Sequence, residues 1–429
     1  METARPPTGG FPISACHSDI LGGVKNFGIV VAVLMGAGCY APSFQDCELA
    51  CGGTGADACP AGLTCASGAC RLPGMTAACT VTPIVDAPMI DAPGTCWPYA
   101  TSTIDPCVAG FPPSSGTLSV TTTRTIDTTS PGADDGVLYL GGRYLVLHVS
   151  TVDIASTAAL TVTGARPLII VADGDVDVTG TIAVQPTMVT PMDCALGSPG
   201  NANVSGSGGS GGGYGTTGGT GGTTVSSGTT AGGVVSGDAT LVPLRPGCPG
   251  GRGGGTAGLA GIGGRAGGAL QITTKTRLVV AGGGTIAAGG GGGGGGANGT
   301  CAGVACSGAG GGGGTGGSIL LEANRVDIRV NGRVCAVGGA GGNGPLTTNP
   351  QAPGTSGSDG VLCTGGNTGI IGNSGGRGAG VAGALGGAGS NGSSNLDSGA
   401  GGGGGLGRTR IRGALQRDVV GTVIPVPAP

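Results

Sequence analysis

The chain has 429 residues, of which 104 are glycine; aromatic residues make up 2%, charged residues 10%, and the formal net charge is −3. So much glycine and so few rings exclude an ordinary aromatic-filled core, while the small net charge and a mean hydropathy of +0.28 exclude disorder driven by charge. No basic cluster is present to hold nucleic acid, and glycine is clustered rather than placed at every third residue, so a collagen-type period is not expected.

Residues 1–23 are polar and rich in Pro and Gly, and are expected to be a non-native extension. Val24 would then be an alternative start, leaving Cys16 and His17 untranslated. Residues 24–38 carry one charge (Lys25), a short apolar run from Phe27 to Met35, and small residues Gly36, Ala37 and Gly38. The run is too short to span a bilayer, which takes about 20 apolar residues, and its layout is that of an export signal. Small residues directly before Cys39 resemble a bacterial lipobox, which implies lipidation of Cys39 and a membrane anchor. Gly36 stands where that motif usually has Leu. The alternative is ordinary signal cleavage with Cys39 in a disulfide.

Residues 39–79 hold Cys47, Cys51, Cys59, Cys65, Cys70 and Cys79. A segment this small cannot bury a sufficient core and needs staples. The paired C-x2-C spacing that zinc favours is missing, so these cysteines are disulfide candidates in an oxidising compartment, with the pairing open. Residues 80–95 read as an extended Pro/Asp linker.

From 96 to 166 the chain becomes β-rich. Cys96 and Cys107 bracket a loop that they are expected to close. Trp97, the single tryptophan, is expected to cover the open end of the strands that follow, with a sugar platform as the alternative. His148 lies in a strand pattern and reads as structural.

Three segments then share one rhythm: 166–184, 267–290 and 316–339. Each offers a strand with alternate apolar residues (Leu168/Ile170, Leu270/Ile272, Ile319/Leu321). A corner follows, then a second strand (Val176/Val178, Leu278/Val280, Val326/Ile328). After another corner comes a third (Ile182/Val184, Ile286/Ala288, Val334/Ala336). A single three-stranded coil cannot bury its apolar face, whereas stacked coils can. The expected fold is therefore all-β: a parallel β-solenoid over 167–416, preceded by the disulfide-rich segment. Glycine-rich insertions at 195–266, 289–315 and 340–404 would lie on one side. They read either as flexible linkers or as extended polyglycine helices of the polyproline II type. The pairs Cys194–Cys248, Cys301–Cys306 and Cys335–Cys363 would staple them. Residues 405–416 read as a terminal polar coil whose Arg408, Arg410 and Arg412 discourage edge pairing, with a tail over 417–429.

The lipobox-like start, "CPAGLTCASGACR", the Pro/Asp linker, "ARPLIIVADGDVDVTGTI" and the Gly-separated coils together resemble uncharacterised glycine-rich, Cys-clustered surface lipoproteins of myxobacterial type. The resemblance covers most of the chain from residue 24 onward and implies architecture, not a reaction.

Asp173, Asp175 and Asp177 alternate on one face and form a weak calcium candidate, against solvated turn residues as the plain alternative. No P-loop lysine motif occurs, and the serines lie in loops without a following helix, so neither phosphate-loop nor nucleophile-elbow chemistry is expected. No catalytic residue and no cofactor is expected. The expected function is that of an exported, lipid-anchored structural or interaction protein of the outer membrane or cell surface. The alternatives are a module that binds extracellular polysaccharide or surface proteins, and a degenerate polysaccharide hydrolase or lyase.

Overall fold

The computed structural model describes residues 63–66, 69–74, 96–191, 194, 196–200, 206–224, 227–256, 258–346, 353–360, 363–367, 374–380, 385–392 and 397–428. Regular structure among them is all strand. The chain divides into two units, Met1–Ile90 and Asp91–Pro429. In the first, β1 (Thr64–Ala66) and β2 (Ala69–Arg71) make an antiparallel hairpin that sets Cys65 opposite Cys70, and Cys70 is disulfide-bonded. The signal segment, Cys39, Cys47, Cys51, Cys59, Cys79 and the linker 80–95 lie outside the described residues.

The second unit holds β3 (Leu118–Val120), β4 (Thr123–Asp127), β5 (Val137–Tyr139), β6 (Tyr144–Val149), β7 (Val152–Ile154), β8 (Ala159–Thr163), β9 (Leu168–Ala172), β10 (Val176–Val178), β11 (Thr181–Val184), β12 (Ala269–Val280), β13 (Thr285–Ala288), β14 (Asn298–Cys301), β15 (Val304–Ser307), β16 (Ser318–Ile328), β17 (Arg333–Cys335), β18 (Arg408–Val419) and β19 (Thr422–Ile424). Two large sheets result. One has nine strands, with β5 antiparallel to β6 and its other pairs parallel, so it is mixed; the other has six, all parallel. A separate hairpin pairs β14 with β15.

The apolar alternation has a direct packing consequence. Alternate residues point to one face of a strand, and the parallel registers stack like on like. Leu147, Ile170, Ile272, Leu321 and Ile411 form one inward row. Leu118, Val152, Val176, Leu278 and Val326 form a second. Leu160, Ile182, Ile286 and Val334 form a third. These side chains make one buried cluster. Burying each branched chain contributes roughly 1.5–3 kcal/mol before chain entropy is counted. Charge closes one end of the third row and one end of the second. Arg124 is in register with Leu160 at the first strand and Arg417 with Val326 at the last. Arg124 Nη2 donates to the Asp134 carbonyl and to Asp135 Oδ1, both at 3.0 Å. The segment expected to be a tail continues the stack instead, through the second half of β18 and through β19. Residues 425–428 then cross its end, with Thr409 Oγ1 donating to the Pro425 carbonyl at 2.7 Å and Ala428 N to the Thr409 carbonyl at 2.9 Å.

Where described, the glycine-rich segments are not linkers. Segment 308–317 is buried throughout, and its amides turn to a new neighbour at each residue. Ala309, Gly312 and Thr315 donate to the carbonyls of Gly254, Gly251 and Cys248. Gly310, Gly313 and Gly316 donate to Gly399, Gly402 and Gly405, and Gly311, Gly314 and Gly317 to Gly294, Gly291 and Ala288. Its own carbonyls accept from Gly261, Gly264 and Gly267, from Gly209 and Gly212, and from Gly339 and Gly342. A period of three with no backbone–backbone hydrogen bond inside the segment is the signature of polyproline II-type helices packed side by side. Segment 399–405 is enclosed in the same way, by 206–212, 387–390, 339–342, 310–316, 219–222 and 376–379.

This array explains the composition. The glycines of 308–317 and 399–405 are absent from the left-handed region, so they are not there for a turn. They are there because a Cβ at Gly312 or Gly401 would lie closer than 3.0 Å to neighbouring backbone. Segments at the rim have one side open and carry a side chain at every third residue, as in Leu259, Ile262 and Arg265, or Thr217, Thr220 and Thr223. The three-residue period that composition argued against is therefore present, written in the rim residues. Side chains also cap amides that lack a neighbouring segment: Asp359 Oδ1 accepts from Gly292 N and Asn391 Oδ1 from Thr223 N, each at 2.8 Å.

Candidate functional site

The polar groups of greatest interest lie on the outer face of the nine-stranded sheet, beneath a strap formed by residues 96–111. In register, Glu322 of β16 stands between Thr273 of β12 and Arg412 of β18. Its carboxylate is fully buried. Oε1 accepts from Ser102 Oγ at 2.6 Å and Arg412 Nη1 at 2.9 Å. Oε2 accepts from Gln271 Nε2 at 2.9 Å and Ser102 N at 3.2 Å. Arg412 also donates to Ser102 Oγ at 2.7 Å and to the Ala100 carbonyl at 3.2 Å. A buried carboxylate is tolerated only when its charge and lone pairs are answered in this way. Tyr99 adds a bond from its hydroxyl to the Thr274 carbonyl at 2.7 Å, and burial, before any other influence, raises its pKa.

Around this cluster the outer face is apolar. Trp97, Ile104, Tyr144, Val146, Ile169, Val171, Tyr214 and Leu320 pack together as a second core. Trp97 is 7% exposed, so it covers the flank of the stack rather than its end and has no open ring face for a sugar. Lys275 Nζ lies over that ring at 5.2 Å from its centroid. Tyr214, from a glycine-rich segment, docks onto the same face. It sits between the guanidinium groups of Arg245 and Arg408, at 4.4 and 5.3 Å. Its hydroxyl bonds Ser318 Oγ at 2.7 Å. The three arginines expected to guard an edge are clamps. Arg408 Nη2 donates to the Ser236 carbonyl at 2.9 Å, Arg410 Nη1 to the Thr240 carbonyl at 2.8 Å, and Arg412 holds the strap.

The aspartate triplet is neutralised by β12 and does not form a calcium cage. Lys275 Nζ is 2.6 Å from Asp173 Oδ1, and Arg277 Nη2 is 3.0 Å from Asp175 Oδ2 and 3.5 Å from Asp177 Oδ2. Among the described residues no group of His, Cys, Asp and Glu is arranged to hold a metal ion. Partial burial works to raise the pKa of Asp173, but the hydrogen bond and charge of Lys275 and the charge of His148 outweigh it and hold the group below the usual carboxylate value. The hydrogen bond from Thr276, followed by the Arg277 contact, lowers that of Asp175. His148 Nδ1 meets the Pro112 carbonyl at 2.6 Å and Nε2 lies 3.3 Å from Asp173 Oδ2, the environment of a structural histidine.

Cys194–Cys248, Cys301–Cys306 and Cys335–Cys363 are bonded, across sequence separations of 54, 5 and 28. They tie the glycine-rich segments to each other or to the strands, as Cys335 of β17 does. Cys96 and Cys107, expected to close a loop, are instead exposed free thiols. Comparisons with family models, with curated proteins and with solved structures returned no match.

Sequence reasoning missed Glu322, Ser102 and Tyr214, and took Arg412 for an edge guard. The signal available was a lone Glu directly after the apolar run Ile319–Leu321 of β16, followed by the Arg-x-Arg-x-Arg run of β18.

Proposed function

We propose that the second unit is a parallel β-solenoid extended sideways by the polyglycine array, and that it serves as a rigid structural or interaction body on the cell surface. The reading takes the chain as exported by the segment 24–38 and anchored through a lipidated Cys39 in the outer membrane, held off it by the stapled segment and the linker. It follows the resemblance to myxobacterial surface lipoproteins. The three disulfides support it, because such bonds persist in oxidising, extracellular compartments. The observation that carries it is the array itself. The glycine segments are hydrogen-bonded into the body at every turn, so the molecule is built for stiffness rather than for a mobile lid or cleft. The reading includes no catalytic activity, since the notable ionisable groups, Glu322 and the aspartate triplet, are tied to cations in pairs with structural roles.

A binding module for polysaccharide or protein is the second reading. A trough of about 480 Å³, lined by Gln185, Ile262, Arg265, Gly292 and Asp359 among others, runs where the six-stranded sheet meets the array. Fractionation in the native host tests the first reading. Cys39→Ser should move the protein from membrane to soluble extracellular fractions while export continues. A mutant that stays membrane-bound removes the lipid anchor from the reading. A glycan array probed with wild type and Arg265→Ala tests the second.

A further inference from the structure

The strap that buries Glu322 begins on one cysteine and carries a second near its end, and the two stand out from the rest. The other described cysteines of the second unit are bonded in pairs, whereas Cys96 and Cys107 are free and exposed. The two are also adjacent in space. Cys96 Sγ lies 3.4 Å from the carbonyl of Pro106, the residue directly before Cys107, and the Asp105 carboxylate accepts from Cys107 N at 2.9 Å, fixing the turn. Between the two cysteines lie the groups that fasten the strap: Trp97 in the outer core, Tyr99 on Thr274, and Ser102 on Glu322.

We propose that Cys96 and Cys107 form a thiol–disulfide exchange site whose substrate is a disulfide and whose product is a covalently closed strap. In the first step the Cys96 thiolate attacks one sulfur of the incoming disulfide. That S–S bond breaks, one thiol leaves with the electron pair and a proton, and a mixed disulfide remains on Cys96. Cys107 then gives up its proton and attacks the Cys96 sulfur, and the second thiol leaves. Two protein thiols are oxidised to one disulfide, the incoming disulfide is reduced to two thiols, and no other oxidant is required. The order of the steps has a structural basis. Partial burial, the hydrogen bond to Cys96 and the charge of the Asp105 carboxylate, held 2.9 Å from the Cys107 amide, raise the pKa of the Cys107 thiol, and the nucleophile in such exchange is the thiolate. Cys107 is therefore the proton-keeping, resolving partner. Closure fixes the strap over the Glu322–Arg412 pair, which in the dithiol state is covered by non-covalent contacts alone.

The test uses the full exported protein after mild reduction that leaves the other disulfides intact, with an aromatic disulfide reagent as probe. Wild type should release two aryl thiolates per chain and retain no adduct, with Cys96–Cys107 found as a bonded peptide pair. Cys107→Ser should release one and keep the adduct on Cys96. Cys96→Ser should lose most of the rate. Oxidised glutathione and a disulfide-bridged peptide, run as separate arms, show whether small or macromolecular disulfides react faster. Trp97 emission, from the only tryptophan, should change on closure in wild type and in neither variant, and near-native emission in both variants shows that they fold. Stable adducts on both thiols of the wild type, or equal rates for the two single variants, would overturn the proposal.

Discussion

Gly312→Ala separates a packed glycine array from flexible glycine loops by the sign of its effect. In a flexible loop the substitution narrows the unfolded ensemble and stabilises by about 0.4–1 kcal/mol. In the array the new methyl has nowhere to go. Built on the backbone, it falls within 3.0 Å of the Ser210 carbonyl and the Gly211 amide nitrogen. Those atoms cannot withdraw freely, because the Ser210 carbonyl accepts from Gly251 N at 2.8 Å and Gly211 N donates to the Gly219 carbonyl at 2.9 Å, while Gly312 is itself held by Gly251 and Gly264 at 2.8 and 2.7 Å. Overpacking of a well-packed interior costs about 1–3 kcal/mol, and a backbone neighbour puts this site at the upper end. At roughly 2–4 °C per kcal/mol for domains of 150–250 residues, Tm should fall by several degrees. The assay is thermal unfolding followed by circular dichroism with disulfides intact, using Thr220→Ala on the exposed rim as the control that should leave Tm almost unchanged. A Gly312→Ala protein that melts at or above wild type would refute the packed array.

The stacking of strands was legible because it is written in side chains. Leu168, Leu270 and Ile319 recur in the same place of a common rhythm and stand in register in the fold. The array was not, because its period lies in what is missing. A segment enclosed on all sides reads as glycine broken by little more than Ala309, Thr315 or Ala400, which carries little phase, and the phase is plainest at the rim, at Leu259–Ile262–Arg265. The strap was not legible for another reason. Glu322 meets Ser102 across 220 residues and Arg412 across 90, and nothing local to β16 says that its outer face will be covered. Alternation was read as one buried and one wetted face, the usual state of a strand. Here Trp97, Tyr144 and Ile169 make the outer face a second core, so Arg408, Arg410 and Arg412 became clamps instead of edge guards.

Glu322→Ala should destabilise by about 1–3 kcal/mol, the range for a buried donor such as that of Gln271 left without its partner, because Arg412 is 40% exposed and keeps its hydration, and hydrogen exchange should show the strap opening first; an unchanged exchange rate at Ser102 would count against the arrangement. Asp173 and Asp175 have folded pKa values below their unfolded ones, so they add stability above the unfolded value of about 3.9 and lose it as pH falls through the folded values. Asp175→Asn should accordingly flatten the acid limb of the stability profile and leave the neutral-to-alkaline limb with the same shape. Ile328→Asp puts a charge into a fully buried row and should abolish cooperative unfolding. Replacement of 340–404 by a short turn is the most demanding case. If the stacked strands alone hold the fold, as the apolar rows suggest, the deletion is tolerated. The hydrogen bonds say otherwise, because it removes 399–404, which accepts from Gly219, Gly222, Gly310 and Gly313 and donates to Gly206 and Gly209. Each buried amide or carbonyl left without a partner costs about 1–3 kcal/mol, so a loss of this extent exceeds the whole stability of a typical domain. The deletion variant should therefore be degraded by limited proteolysis under conditions that wild type resists, and a deletion variant with wild-type resistance would return the glycine segments to decoration.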